Sequence, residues 1–516
     1  MLLFLFAGVI IIQQIFSVSK SDGEDDVFIS KDSLDFEDKL IDKKPQQVPP
    51  VSVNKEEPPL PKLKEEDKPL LKENTKIKEP IINKPKKIQN EDTESLKFIK
   101  GMIEHAWNGY KKYAYGDDEL RPLSKSSRNW ITKNGIGATL IDSLDTLWDD
   151  FVSTFETTIR ILGGLLSAYD LSGDERILPK IVDIADRLFP AFNSPNGIPY
   201  SRINLKTGEH FSQTTVALAE LGTLQMEFAY VSDLTGNLKY REKALAVYQK
   251  LSEMQTGILG LFPLHINPLS IKQSDNEYSF GGEADSFYEY LLKMWIMDDK
   301  EPQLFREMYD KAIKAAEEKL VGTNINGYRY LGKFRSTLNT ELEHLSCFAG
   351  GMIALGAVTK REDDFSDKMK LAADLTETCY KMYESQELGL SPESVDANYF
   401  NPKGQYYIQR PEVIESIFYM WRFTHEQKYR DWGLEIARSI EKHCKVLNGY
   451  VGYENILSKT KNNQQESFFV AETLKYLYLL FSDDSLLPLD KYVFNTEAHP
   501  FTIKSFRKSN DNMKKQ

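Results

Sequence analysis

The sequence predicts an all-α fold in which successive helical hairpins close into an α/α barrel. Apolar helices alternate with amphipathic ones through the last 400 or so residues. Each apolar helix carries a polar or charged residue near its N-terminal end: Glu156, Glu220, Asp285, His344, Glu412 and Glu472. Those residues are separated by 64, 65, 59, 68 and 60 positions. A period near 63 is two helices plus their loops, so one hairpin is the repeating unit.

The chain opens on Met1–Phe16, which is apolar apart from Gln13 and Gln14 and has neither a basic start nor a small-residue cleavage site. A signal anchor over residues 1–18 and a cleaved signal peptide both fit this segment, which is short for a span of roughly 20 residues. Residues 19–94 read as a disordered, Pro-rich stalk. Between Ser21 and Asn90 there are 14 Lys, no Arg and 16 acidic residues, and nine of the chain's 22 prolines lie between Pro45 and Pro85. Such a stretch buries too little apolar surface to offset its ordering entropy and runs extended as a spacer. Anchor, spacer and large domain together are the layout of a type II membrane protein.

Residues 95–500 read as one domain, followed by a polar tail over 501–516. Apolar helices are expected at Phe155–Tyr169, Val216–Leu234, Phe280–Met297, Glu341–Ala357, Val413–Phe423 and Ser467–Phe481, with stops at Gly173 and Gly236. Amphipathic partners are expected at Ile177–Phe189, Tyr240–Met254, Phe305–Leu320, Phe365–Tyr383 and Tyr429–His443. Segments near Leu96–Tyr115 and Thr139–Asp149 supply a further hairpin, making about seven. No run of alternating strands suggests a parallel sheet.

A net charge of −12 argues against a nucleic-acid partner, which wants a basic face. Aromatic content of 12% suits a neutral, hydroxylated ligand such as a carbohydrate. One carboxylate at a helix N-terminus is readily a surface charge favoured by the helix dipole. Six polar positions in register, all within apolar helices, converge instead on one end of the barrel. Buried carboxylates are costly unless paired or bound to a metal. Paired carboxylates in a cleft are what glycoside hydrolysis needs, one to protonate the leaving oxygen and one to activate water.

From about 95 to 500 the chain resembles glycoside hydrolase family 47, the class I α-1,2-mannosidases. The matching stretches are Gly137-Ala-Thr-Leu-Ile-Asp-Ser-Leu-Asp-Thr-Leu147, Phe155-Glu-Thr-Thr-Ile-Arg-Ile-Leu-Gly-Gly164 and Ala284-Asp-Ser-Phe-Tyr-Glu-Tyr-Leu-Leu292. Arg410-Pro-Glu-Val-Ile-Glu-Ser416, Glu472-Thr-Leu-Lys-Tyr476 and Phe494-Asn-Thr-Glu-Ala-His-Pro500 follow in order. The resemblance implies an (α/α)7 barrel closed at one end by a C-terminal β-hairpin, with Ca²⁺ at the pocket floor. It implies inverting hydrolysis of terminal α-1,2-linked mannose from high-mannose N-glycans. Glu156 matches the general acid, Glu412 the base and Asp285 a third essential carboxylate; Glu156 or Asp285 supplies the proton. Thr496 matches the one direct protein ligand of calcium, and Glu220, Glu415, Glu472 and Glu497 match carboxylates that hold its waters and the sugar. Arg160, His344, Arg410 and Phe468 match further pocket residues.

Cys347 and Cys379 match the family's disulfide, which suits an oxidising lumen and stabilises by roughly 3–4 kcal/mol in the chain-entropy model. Cys444 is left as a buried thiol. The chain has no Asn-X-Ser/Thr sequon. Glu283 departs from the family, which commonly has Arg there in the endoplasmic-reticulum type and Leu in the Golgi type. The setting implied is a Golgi or endoplasmic-reticulum membrane with a luminal, monomeric catalytic domain, or a secreted form. Two relatives of the same barrel offer other readings: a degradation-type quality-control factor and a non-catalytic mannose-binding lectin.

Overall fold

The computed structural model of the chain describes residues 92–130, 139, 151–211 and 213–507. The anchor expected over 1–18 and nearly all of the stalk lie outside the described residues, as do most of the Gly137–Leu147 motif and the end of the tail. Among the described residues no helix is long and apolar enough to cross a membrane.

Helices alternate between two rings. In chain order they are α1 (Thr93–Tyr113), α2 (Gly163–Ser172), α3 (Leu178–Leu188), α4 (Gln225–Thr235), α5 (Lys239–Ser252), α6 (Asp285–Met297), α7 (Gln303–Lys319), α8 (Ala349–Thr359), α9 (Phe365–Glu384), α10 (Glu412–Thr424), α11 (Gln427–Cys444) and α12 (Leu474–Phe481). The even-numbered helices form the inner ring, and α2, α4, α6, α8, α10 and α12 each pack against the next. In α6 every residue from Ser286 to Met297 is buried, because an inner helix faces side chains all round. The outer helices bury one stripe. In α11 Tyr429, Arg430, Gly433, Ile436, Ala437, Ile440 and Cys444 recur at three- and four-residue steps. The expected stops hold: Gly173 and Gly236 take left-handed φ values of 65° and 71° that favour glycine. The segment near Thr139–Asp149, read as helical, is almost wholly outside the described residues.

Three expected helices are shorter or broken. Val216–Ala217 is a strand, Leu218–Gly222 a short helix, and the rod breaks before α4. Phe287 packs so closely on Gly222 that a Cβ there would lie 2.3 Å from its ring. The Gln225 side chain accepts the freed Leu224 N–H at 2.8 Å. Glu341–Glu343 is a strand and His344–Phe348 a 3₁₀ turn before α8. Residues 280–284 are loop, with Glu283 at φ 75°.

Connections at the C-terminal ends of the inner helices are short. Those at the N-terminal ends are long and carry antiparallel hairpins of two or three residues per strand. Alternation over so few residues leaves no period to read in sequence.

Strands Tyr492–Phe494 and Pro500–Thr502 form the C-terminal hairpin. The Thr502 N–H donates to Asp170 at 2.7 Å and the Ser505 N–H to Asp299 at 2.9 Å, at the C-terminal ends of α2 and α6. Its turn reaches the opposite end of the inner helices. The hairpin therefore plugs the barrel from below. Phe501 is fully buried, so packing continues past residue 500, where the sequence suggested that the tail begins.

Candidate active site

A cavity of about 590 Å³ opens among the N-terminal ends of the inner helices. Glu156 and Arg160 enter it ahead of α2, Glu220 ahead of α4, Asp285 on α6, Glu412 and Glu415 on α10, and Phe468 and Glu472 ahead of α12. Arg410 lines it from the approach to α10, and Thr496 and Glu497 reach it from the turn of the C-terminal hairpin. His344 stands directly behind Glu412. Every site residue expected from sequence is thus brought to one place.

Two inner helices are entered through π-helical turns, Thr157–Leu162 and Phe469–Thr473. Such turns recur at functional sites because they displace side chains from regular register. The first carries Arg160, whose Nε donates to Glu156 Oε2 at 2.7 Å and whose Nη1 lies 2.7 Å from Glu497 Oε1. Arg160 is a fork between one cavity wall and the floor.

Asp285 and Glu412 both lie deep in the cavity but are driven apart. Burial pushes the Asp285 carboxyl up to about 7, and neighbouring Glu289 and Glu412 add repulsion against the Ser286 N–H that donates to it at 2.8 Å. Burial also raises Glu412, but the hydrogen bond and charge of His344, with the charge of Arg410, outweigh it and hold Glu412 below the ordinary range. His344 Nδ1 donates to Glu412 Oε2 at 2.7 Å, and Nε2 faces the Tyr383 hydroxyl at 2.9 Å. Arg410 is itself clamped by Glu393, 2.8 and 2.7 Å from Nε.

The floor is acidic. Glu472 is raised by burial and by Glu497 beside it, and Glu497 by burial and Glu156. Glu415 is raised by burial and by Glu289 and Glu412, and accepts from the Tyr476 hydroxyl at 3.2 Å. Glu220 accepts from Ser201 Oγ at 2.8 Å.

Several residues in and behind the cavity carry no clear signal in the sequence. Glu289 and Lys293 continue the Asp285 face of α6 at successive four-residue steps, and they form a buried ion pair. Their spacing is visible in the chain, but the helix around them reads as wholly apolar. His265 opens a three-residue strand with no local signal; its Nδ1 is 2.6 Å from Asp275 Oδ2 and its Nε2 3.3 Å from Glu283 Oε2. That ring gives Glu283 its partner.

Among the described residues no group of three or more His, Cys, Asp or Glu side chains is arranged to hold a metal. The donor chemistry nevertheless suits a hard cation. Nine carboxylates line the cavity (Glu156, Glu220, Glu283, Asp285, Glu289, Glu412, Glu415, Glu472 and Glu497) against two guanidinium groups, Arg160 and Arg410. Like charges so crowded repel one another, and a divalent ion relieves that repulsion by adding the missing positive charge. Cys347 and Cys379 form a disulfide, and Cys444 is a buried free thiol.

The model of glycosyl hydrolase family 47 matches residues 102–148 and 149–503. The chain is 44% identical over 453 residues to the human mannosyl-oligosaccharide 1,2-alpha-mannosidase IB, covering 80% of this chain and 70% of that protein. It is 43% identical over 447 residues to the mannosyl-oligosaccharide alpha-1,2-mannosidase IA of Drosophila melanogaster, covering 79% and 67%. The solved alpha-1,2-mannosidase from Trichoderma reesei superposes with a TM-score of 0.75 at 26% identity, over 80% of this chain and 100% of that one. The fold is the (α/α)7 barrel expected from the sequence. With the hydrolase motifs among the described residues gathered on one cavity, and a family match spanning nearly all of those residues, the chain belongs to glycosyl hydrolase family 47.

Proposed function

We propose that this chain is a mannosyl-oligosaccharide α-1,2-mannosidase that removes terminal α-1,2-linked mannose from high-mannose N-glycans with inversion. The observation that carries this reading is the opposed setting of Asp285 and Glu412 across one sugar-sized cavity. Two carboxyls whose surroundings push their proton affinities apart are the acid and base of one reaction. Glu412, kept ionised and oriented by His344, takes the proton of the attacking water. Asp285, kept protonated, supplies the proton that the leaving oxygen needs. Glu156 is ion-paired with Arg160, which fits a carboxylate that orients a relaying water or a sugar hydroxyl better than the proton donor.

The family is a metal-dependent one. Thr496 would hold Ca²⁺ through its hydroxyl and carbonyl oxygens, with Glu220, Glu415, Glu472 and Glu497 holding the waters and sugar hydroxyls that complete about 6–8 oxygen ligands. When bound, the ion supplies charge neutralisation and a fixed seat for sugar hydroxyls. Phe468 offers a ring face to the sugar. The disulfide, the apolar N-terminal segment and the spacer support a luminal setting in the secretory pathway with the N-terminus in the membrane. The full chain incubated with a high-mannose oligosaccharide should release free mannose, and EDTA should abolish release with recovery on added Ca²⁺. No release in the presence of Ca²⁺ would overturn the enzymatic reading in favour of a lectin.

A further inference from the structure

A cation held by one protein residue has no protein cage to pre-form it. Thr496 sits in the five-residue turn between the strands of the C-terminal hairpin, followed by Ala498 at φ 54°. Offering two oxygens from one residue requires both its backbone and its side chain to be fixed, and that order must come from whatever grips the turn.

The grip is visible beneath the cavity. Asn495, fully buried, uses its whole amide: Oδ1 accepts from the Glu497 and His499 N–H groups at 2.9 Å each, and Nδ2 donates to the Ile159 carbonyl at 3.0 Å and to Glu227 Oε1 at 2.8 Å. The same Glu227 oxygen accepts from the Tyr290 hydroxyl at 2.7 Å. The backbone of Thr496 lies close enough to that hydroxyl to act on it electrostatically. Gly163 leaves the space, since a Cβ there would stand 2.7 Å from Asn495 Nδ2. Three elements therefore converge on the residues at 495 and 496: α4 through Glu227, α6 through Tyr290, and the π-turn ahead of α2 through Ile159.

We propose that Glu227, Tyr290 and Asn495 form a clamp that presets Thr496 for the cation, making Glu227 and Tyr290 positioning residues for the site although neither lines the cavity. The inference rests on reading Thr496 as the ligand of Ca²⁺. Burying a carboxyl with no exposure at all is costly, and a hub joining the ligand turn to two inner helices accounts for its presence. Groups that orient a metal ligand from behind it are typically worth 10–100-fold in metal affinity.

The test is calcium-dependent thermal stabilisation of the full chain, which reads cation binding without turnover. Tyr290→Phe removes one hydroxyl and no packing volume. Its metal-free melting temperature should stay within a few degrees of wild type, while the Ca²⁺ concentration for half-maximal stabilisation rises about 10-fold or more. Glu227→Gln keeps an acceptor oxygen and should move the midpoint the same way but by less than Tyr290→Phe does. Phe501→Leu loosens the same hairpin away from its turn, and should lower the metal-free melting temperature while leaving the midpoint in place. An unchanged midpoint in Tyr290→Phe, or an equal shift in Phe501→Leu, overturns the clamp. A wild-type chain that does not respond to Ca²⁺ overturns the cation reading and the clamp with it.

Discussion

Asp285 and Glu412 occupy equivalent places, each the first residue of an inner helix with its side chain in the same cavity. Both are largely withdrawn from solvent, and both sit where the helix dipole favours a negative charge. Their carboxyls nevertheless part company, one pushed up to about 7 and the other held below the ordinary range. Burial and helix position are common to the two, so neither sets the difference. What differs is the company each keeps: the charge of Arg410 lowers both, but Glu412 also has the hydrogen bond and charge of His344, whereas Asp285 has the repulsion of Glu289 a turn below it and of Glu412. The barrel supplies identical seats, and the loops and neighbouring helices decide what each seat does.

That contrast can be broken from either side. Removing the charged partner altogether has the largest expected effect. Glu412→Gln should lower kcat by about 10³–10⁴-fold, near the upper range for a general base, while oligosaccharide affinity, measured by calorimetry, stays within a few-fold. Unimpaired turnover would show that another group activates the water.

Asp285→Asn comes next, at about 10²–10³-fold in kcat. Its pH dependence is the sharper readout. In the proposed mechanism the protonated form of Asp285 is the active one, so kcat/KM should hold below about pH 7 and fall as the pH rises through that value. The Asn variant should lose this alkaline limb, and a limb that persists unchanged would assign it to another group.

His344→Gln has the smallest effect and addresses the comparison most directly. Without the imidazole, only the charge of Arg410 and a backbone N–H oppose burial at Glu412, and its pKa rises. Because the ionised form is the active one in the proposed mechanism, the acid limb of kcat should move to higher pH, with a loss of about 10-fold at mildly acidic pH. An acid limb that does not move would show that Arg410 suffices.

Much of the site was legible in sequence because it is built on a repeat. The spacing near 63 residues placed Glu156, Glu220, Asp285, His344, Glu412 and Glu472 at one end of a barrel, since helical period and hairpin length are local properties of the chain. Thr496, Glu497 and the disulfide came only through resemblance to a family. The partners that tune these residues were out of reach. Glu393 grips Arg410 from 17 positions away, Tyr383 backs His344 from 39, and Asn495 meets Ile159 from 336; each pairing exists only once the chain is folded. The broken helix at Thr223–Leu224 was hidden for the same reason, because it answers to Phe287 on another helix.

The disulfide between Cys347 and Cys379 has a bearing beyond stability. Cys347 lies one turn after His344, and Cys379 one turn before Tyr383. The covalent link therefore joins the two segments whose side chains meet end to end behind Glu412. Closing that bond and aligning His344 behind Glu412 are coupled in this architecture: a reduced chain has the same residues but lacks the brace that lines them up. A covalent bond thus ties two segments far apart in the chain into one support behind a single carboxylate.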